Sequence, residues 1–356
     1  MSMLKPFVGT LIFLVVWDTA WADDPLPRCA FSDRPARHCR IISRILGRNR
    51  LCRSYAIKAE ESVWIGWKLE VGKTFYQEMT IDTTQEMTVM GQNIPQVQKV
   101  THFLSFTPVD YDKDGNWTVK QKIDGMKMEI EIGGNKISFD STKKQGQANP
   151  LSDVLSDFYK ALVGSEFTLT IDKDMKISKI EGRDEFFKKL VKENEGMQPL
   201  LKTILSDEAL KQMSEPAFIA IPNKAVKKGD TWEKNTTLDM GPIGSFDTNY
   251  KFTYVGSRDK KLQKIEVDSI LNYIPPGPSW GGALPFKILK ADLISKESKG
   301  DILFDSDKGR VDSSTMTIRL IGTLSIEIGG TPSEIVLDQT QTTKVKTTDT
   351  NPIKTK

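Results

Sequence analysis

Alternation of apolar and polar residues is the feature that most constrains how this chain can fold. From Trp64 onward, apolar residues recur at every second position; Met126, Met128, Ile130 and Ile132, for example, share one parity. A period of two is typical of antiparallel strands that cover a core with one face. Glycine pairs such as Gly133-Gly134 separate successive runs and indicate tight hairpin turns. The sequence therefore predicts a mostly β (α+β) fold with a large antiparallel, curved or barrel-like sheet or sheets.

A central block, residues 149–215, has a helical pattern instead. Asn149 and Pro150 are suited to the start of a first helix, which Gly164 would end. A hairpin is expected over 167–182, and the apolar stretch 183–215 then predicts short helices, divided at Pro199 and Ser206. This block is too apolar to be a solvated linker, so we expect it to pack on the sheet.

A weak internal repeat suggests that the β-rich domain, residues 59–346, consists of two related β-halves. Residues 71–75 (VGKTF) resemble 228–232 (KGDTW), and 137–141 (ISFDS) resemble 302–306 (ILFDS) at a similar offset. The halves would span 64–147 and 226–346 on either side of the helical block. Chance similarity among strands is the alternative. We expect residues 347–356 to form a disordered tail.

The N-terminus, residues 1–22, has the pattern of a secretory signal peptide. Lys5 precedes an apolar run (FVGTLIFLVVW), and Ala20-Trp21-Ala22 forms a small-x-small cleavage site. The run is too short to span a bilayer as a helix, although an uncleaved anchor is the alternative. We therefore expect an exported protein, periplasmic or extracellular, without a transmembrane span after signal cleavage.

Residues 23–58 differ in composition from the rest of the chain. Eight arginines and all three cysteines (Cys29, Cys39 and Cys52) lie between positions 28 and 53. A basic arm or a metal site that includes His38 would be the functional interpretations. The cysteine spacing does not fit structural zinc, so we interpret the segment as a poorly ordered leader or linker. Its disulfide state is left open.

The residue types needed for most catalytic chemistry are scarce, because the chain has only two histidines, His38 and His102. The sequence GPSWG at 277–281 matches a nucleophile elbow, but prolines flank it and no histidine follows it. Residues 110–115 (DYDKDG) match half of a calcium loop without its closing glutamate, which indicates a charged hairpin tip. We therefore predict a non-enzymatic protein without catalytic, metal-binding or cofactor-binding residues. A carboxylate-only enzyme is the remaining alternative.

Several motifs resemble an uncharacterised family of exported bacterial proteins, known only as a domain of unknown function. They are found at 72–77 (GKTFYQ), 115–119 (GNWTV), 132–137 (IGGNKI), 164–167 (GSEF), 182–186 (GRDEF), 240–244 (MGPIG) and 284–286 (LPF). The resemblance extends over about residues 64–350 and excludes the arginine-rich segment. It implies no activity and no site residues. More loosely, the layout is similar to that of envelope lipid carriers, in which short helices cover a curved antiparallel sheet.

Two functions remain open at this point. In the first, a lipid or other hydrophobic ligand is enclosed between the sheet and the helices. The cleft would be lined by apolar residues of the helical block, namely Leu155, Phe158, Leu162, Phe187, Leu190, Leu201 and Leu205. In the second, the chain is a structural or protein-interaction module of the bacterial cell envelope, with an envelope protein as partner. Neither function involves nucleic acid.

Overall fold

The computed structural model describes most of the predicted β-rich domain. The described residues are 62–143, 160, 162–192, 198, 202, 205–214, 218, 220–239, 244–259, 261–277 and 286–353. The predicted signal peptide (1–22), the arginine-rich segment (23–58) and most of the first predicted helix therefore lie outside the described residues.

Strands dominate the described residues. The strands are β1 (Val63–Ile65), β2 (Phe75–Val89), β3 (Gln92–Tyr111), β4 (Trp117–Ile132), β5 (Asn135–Asp140), β6 (Glu166–Ile171), β7 (Ile177–Glu181), β8 (Lys224–Val226), β9 (Thr231–Asp239), β10 (Ser245–Ser257), β11 (Leu262–Ile274), β12 (Lys287–Asp305), β13 (Arg310–Ile328) and β14 (Thr331–Thr348). Between β7 and β8, the described residues include two helices with defined bounds, α1 (Arg183–Lys192) and α2 (Asp207–Ser214). The predicted mostly β fold with a central block of short helices is confirmed.

Twelve strands form one large antiparallel sheet, as the alternation predicted. Its order is β7-β6-β4-β3-β2-β14-β13-β12-β11-β10-β9, and β5 also pairs with β4. β1 and β8 form a separate two-stranded sheet. The chain therefore runs as a meander in each half, and the pairing of β2 with β14 joins the two halves.

The large sheet is curved, and its two edges approach each other without joining. β7 and β9 end the strand order and are not paired with each other in the described part of the chain. Residues of both edge regions, such as Ile180 on β7 and Trp232 on β9, belong to the same apolar cluster. Helix α2 lies against both strands. The sheet therefore has a concave face, and α2 covers the gap between its edges.

The two predicted halves begin with the same local structure. Gly72 and Gly229 each adopt a left-handed conformation that favours glycine, with φ of 80° and 90°. The Gly72 N–H donates to the carbonyl of Pro108 (2.8 Å), and the Gly229 N–H donates to the carbonyl of Tyr254 (2.8 Å). The resemblance between 71–75 and 228–232 thus marks equivalent turns before β2 and β9.

Aromatic stacking repeats in the same way after each turn. Phe75 stacks on Phe106 with ring centroids 5.2 Å apart, and Trp232 stacks on Phe252 with centroids 5.4 Å apart. In both pairs the two rings lie on neighbouring strands, β2 and β3 or β9 and β10. Aromatic side chains at these positions therefore anchor both halves in one core.

The helical block follows the predicted divisions where it is described. Lys160 and Leu162 are helical, and Gly164 (φ 81°) follows them. The Ser206 hydroxyl accepts a hydrogen bond from the Ala209 N–H (3.1 Å), so Ser206 caps α2 as its predicted division point required. The predicted hairpin over 167–182 is formed by β6 and β7.

The boundary of the C-terminal tail differs from the prediction. We expected disorder over 347–356, but β14 continues to Thr348 and the Thr347 side chain is buried. The Asp349 carboxylate also accepts hydrogen bonds from Lys308 and Arg310. The strand therefore continues beyond Val345, the last apolar residue of the alternating pattern. It does so because Thr347 and Thr348 still pair with β2 and because Asp349 joins this ion-pair cluster.

Candidate functional site

The concave face of the sheet is the candidate functional site, and we call it the inner face. On β2 the buried side chains are those of odd parity, from Phe75 to Met87, whereas Glu78 and Glu86 on the opposite face are exposed. The same two faces can be followed on the neighbouring strands β3 and β14, because directly opposed residues of paired strands lie on the same face. Glu129, Glu131 and Asp268 are exposed on the outer face.

The inner face has an apolar cluster where it meets the helices, which we call the helix cluster. Leu190 of α1 is fully buried in it, and the Phe186 ring packs edge-to-face on Phe167 of β6 with centroids 5.0 Å apart. Trp67 and Trp232 donate indole N–H groups to the carbonyls of Phe218 and Ala220. This part of the inner face is filled by protein.

Two further apolar clusters lie elsewhere on the inner face. The β13 cluster consists of Met87, Leu238, Phe246, Leu271, Phe286, Ile288, Ile318, Leu320, Leu324, Ile326, Ile335 and Leu337. The β4 cluster consists of Val100, Met126, Met128, Ile130, Ile132, Ile137 and Phe139. Within the described residues these two clusters share no member.

A patch of polar side chains separates the β13 cluster from the β4 cluster. We call it the glutamine patch, and its members are Thr83, Gln85, Gln96, Gln98, Gln339 and Gln341. They form two adjacent rows that run across β3, β2 and β14. Directly opposed residues form the first row, Gln96, Gln85 and Gln339, and the second row, Gln98, Thr83 and Gln341. All six are buried. Ile130 and Ile132 flank the rows on β4, and Ile318 and Leu320 flank them on β13.

Several amide atoms of the glutamine patch have no hydrogen-bond partner among the residues that the structure describes. They are both side-chain amide atoms of Gln96 and the Oε1 atoms of Gln85, Gln98 and Gln339. The Gln85 Nε2 group lies 3.6 Å from the Met87 sulfur, which is a weak acceptor. An unpaired buried amide atom costs about 1–3 kcal/mol. These atoms therefore mark a place where the described residues leave polar groups of the inner face without partners.

The residues predicted to line a ligand cleft lie around the helix cluster where the structure describes them. Leu190 is fully buried, and Leu162, Phe187 and Leu205 are partly buried against the cluster. Leu162 also packs against the β4 cluster, and the Arg183 guanidinium lies over the Phe187 ring, 5.3 Å from its centroid. Leu155, Phe158 and Leu201 lie outside the described residues.

The inner face also contains His102, the only histidine in the described part of the chain. Its register neighbours are Met79 and Met126. Complete burial in this apolar setting lowers the pKa of His102 well below its usual value, because desolvation disfavours the charged ring. His102 is therefore neutral at physiological pH.

The other motifs with a chemical interpretation lie at turns. Residues 110–115 belong to the β3–β4 hairpin, where the Asp112 carboxylate accepts backbone N–H groups of Asp114 and Asn116, both at 2.9 Å. These hydrogen bonds, those from Asn116 above all, lower the pKa of Asp112. Among the described residues no group of acidic, histidine and cysteine side chains could hold a metal ion. In the loop at 277–286, Phe286 is buried in the β13 cluster, and residues 278–285 lie outside the described part.

The sequence analysis missed the glutamine patch, although a signal for it was present. Ile335, Leu337 and Val345 share one parity, and the positions between them on the same face are Gln339, Gln341 and Thr343. An apolar run interrupted by large polar residues of the same parity indicates polar groups on the buried face. The interruption recurs on β2 at Thr83 and Gln85, opposite those on β14.

Comparison with known proteins finds a family resemblance over part of the chain and no function. Residues 114–273 match the model of a family of unknown function (DUF6263), which confirms the resemblance to such a family over a shorter stretch than the motifs suggested. No curated protein matches the chain. Within the described residues, no helix is long and apolar enough to cross a membrane.

Solved structures show only distant similarity. A structure of lipovitellin, described by its lipid–protein interactions, matches with 10% identity and a TM-score of 0.40; the match covers 78% of this chain and 25% of that one. OccK7 of Pseudomonas aeruginosa matches with 7% identity and a TM-score of 0.20, covering 78% and 99%. DynF of Micromonospora chersina matches with 9% identity and a TM-score of 0.16, covering 85% and 92%. The chain thus spans a quarter of the length of the lipovitellin chain.

Proposed function

We propose that this chain is a non-enzymatic binding protein that holds a lipid or another hydrophobic ligand against the inner face of its sheet. One observation carries the proposal: the β13 and β4 clusters do not merge, and the buried glutamine side chains between them include amide atoms without partners among the described residues. A bound molecule that fills this part of the concave face would join the two apolar clusters into one surface.

A solid protein core is the alternative explanation, and it fits these observations less well. Protein interiors are close-packed, and buried polar groups in them are almost always hydrogen-bonded. The helix cluster has this character, since its indole N–H groups find carbonyl acceptors. In the glutamine patch, by contrast, amide atoms of Gln85, Gln96, Gln98 and Gln339 have no partner among the described residues. The contrast within one sheet supports a filled end at the helices and a ligand site beyond them.

Ligand-binding sites in proteins are predominantly apolar with a few placed polar groups. The inner face has this composition, with methionine, leucine and isoleucine side chains around the glutamine patch. In this proposal Leu162, which packs against both the helix cluster and the β4 cluster, lies where the filled end of the inner face meets the ligand site. We further propose that the protein acts after export, in the periplasm or outside the cell.

The proposal is tested with two matched tryptophan variants on β14. Leu337 is 2% exposed and points to the inner face, whereas its neighbour Val336 is 46% exposed on the outer face. If Leu337 borders a ligand site, the indole of Leu337→Trp occupies that site, so the affinity of the full chain for the apolar dye N-phenyl-1-naphthylamine falls about tenfold or more. Val336→Trp should bind the dye like the unchanged protein.

Thermal unfolding distinguishes the two explanations. A ligand site accepts the larger side chain, so we expect the melting temperature of Leu337→Trp to lie within a few degrees of that of Val336→Trp. In a solid core the larger side chain would have no space, and this overpacking would destabilise the fold by about 1–3 kcal/mol or more. The melting temperature of Leu337→Trp would then fall, whereas that of Val336→Trp would not. That result, together with no dye binding by the unchanged protein, would favour the structural or interaction module.

A further inference from the structure

We propose that the glutamine patch binds the uncharged polar group of an amphiphilic ligand through hydrogen bonds. This inference rests on the proposed function and specifies the chemical class of ligand. Each glutamine side chain offers an N–H₂ donor and a carbonyl acceptor. A hydroxyl or glycerol group can satisfy both, whereas a hydrocarbon would leave the Oε1 atoms of Gln85, Gln98 and Gln339 and both amide atoms of Gln96 without a partner among the described residues.

The geometry of the patch suits several simultaneous hydrogen bonds. Side chains that are directly opposed on antiparallel strands have Cβ atoms about 4.5–5.5 Å apart. Gln96, Gln85 and Gln339 form one such row over three neighbouring strands, and Gln98 begins the next. A polar group with two or three oxygen atoms can therefore contact more than one amide at once.

The charges around the patch disfavour an ionised ligand. The charged side chains next to it along the strands alternate with the patch residues and therefore lie on the outer face; they are Asp82, Glu86, Lys99 and Asp338. Asp338 is held there by a bidentate interaction with Arg319 (2.7 and 3.0 Å). A carboxylate or phosphate at the patch would lose its hydration without gaining an opposite charge from the described residues around it. An uncharged group incurs a much smaller desolvation cost.

The apolar residues around the patch supply contacts for the rest of such a molecule. Ile130 and Ile132 of the β4 cluster flank it on one side, and Ile318 and Leu320 of the β13 cluster flank it on the other. A hydrocarbon chain attached to a group at the patch can thus extend along either cluster. The arrangement fits an amphiphile whose polar group lies between apolar surfaces.

The test compares three ligands with the same chain length and different polar groups: 1-monolauroylglycerol, laurate and dodecane. Each displaces N-phenyl-1-naphthylamine from the full chain, first unchanged and then with Gln85→Leu and Gln96→Leu combined. We expect the glycerol ester to bind about tenfold or more tightly than laurate or dodecane. In the double variant this preference should shrink to within about threefold, with the affinity for dodecane unchanged or higher.

A matched control carries the same exchange at an exposed strand end, Gln92→Leu; it should keep the preference. Equal affinities of the unchanged protein for all three compounds would overturn this inference and leave the proposed function intact, and the same holds if laurate binds most tightly. Retention of the preference in a folded double variant would likewise overturn it. Failure of every compound and of the dye to bind would overturn the proposed function as well.

Discussion

Gln85 and Gln96 stand directly opposite each other on β2 and β3, each with only 1% of its surface exposed. Three of their four side-chain amide atoms have no partner among the described residues. Two large polar side chains at the buried centre of a concave sheet are costly unless something else pairs with them. This pair is therefore the part of the fold that most strongly suggests a bound molecule.

The first prediction concerns the stability of the ligand-free protein. Gln96→Leu replaces two unpaired amide atoms with a hydrocarbon of similar size. We expect the free energy of unfolding, measured by urea denaturation, to be maintained or raised by up to about 2 kcal/mol. The exposed exchange Gln92→Leu should change it by less than about 0.5 kcal/mol. A loss of more than about 1 kcal/mol in Gln96→Leu would mean that the amide is paired within the fold.

The second prediction concerns acid stability and His102. Burial lowers the pKa of His102 in the folded protein, so the unfolded chain binds a proton at pH values where the folded chain does not. The free energy of unfolding therefore decreases as the pH falls below about 6.5, by up to about 1.4 kcal/mol per pH unit. Urea denaturation between pH 7 and pH 5 measures this slope.

A histidine variant isolates the contribution of His102. His102→Gln should abolish most of the slope between pH 7 and pH 5. Aspartates with a lowered pKa, such as Asp349 beside Lys308 and Arg310, contribute stability that is lost only when the pH falls below about 4. A slope that persists in His102→Gln would contradict the prediction.

The third prediction concerns Gly322 on β13. Its φ of 149° lies in the region that favours glycine, and a β-carbon there would overlap the Asp292 carbonyl oxygen, so there is no room for a side chain. Gly322→Ala should therefore destabilise the protein by more than about 2 kcal/mol, because the backbone of β12 has to move. Gly330→Ala, which has left-handed φ but open space around it, should cost only about 1–2 kcal/mol. Equal thermal shifts in the two variants would refute this.

The fourth prediction distinguishes the filled end of the inner face from its border. Leu190 is fully buried in the helix cluster, whereas Leu205 is only partly buried against it. Leu190→Ala should lower the free energy of unfolding by about 2–5 kcal/mol, and Leu205→Ala by clearly less. Neither exchange should alter the preference for the glycerol ester, since neither residue belongs to the glutamine patch. A larger loss of unfolding free energy in Leu205→Ala than in Leu190→Ala would contradict the assignment of Leu190 to the centre of the helix cluster.

The sequence predicts the sheet well because each strand obeys a local rule. Met126 to Ile132 alternate and form the C-terminal part of β4, and the turn at Gly133-Gly134 leads into β5 as a hairpin. The sequence predicts the site less well, because the glutamine patch depends on cross-strand register between distant segments. Gln339 lies opposite Gln85 only after β14 has paired with β2. No local pattern reveals that juxtaposition.

Native mass spectrometry of the full chain purified from its own cells tests the central claim most directly. We predict a mass above that of the mature polypeptide, which disappears after extraction with organic solvent and corresponds to an uncharged amphiphile. The same spectrum shows whether residues 1–22 have been removed. A mass equal to that of the bare polypeptide before and after extraction, with no dye bound in solution, would contradict the claim that the inner face holds a ligand.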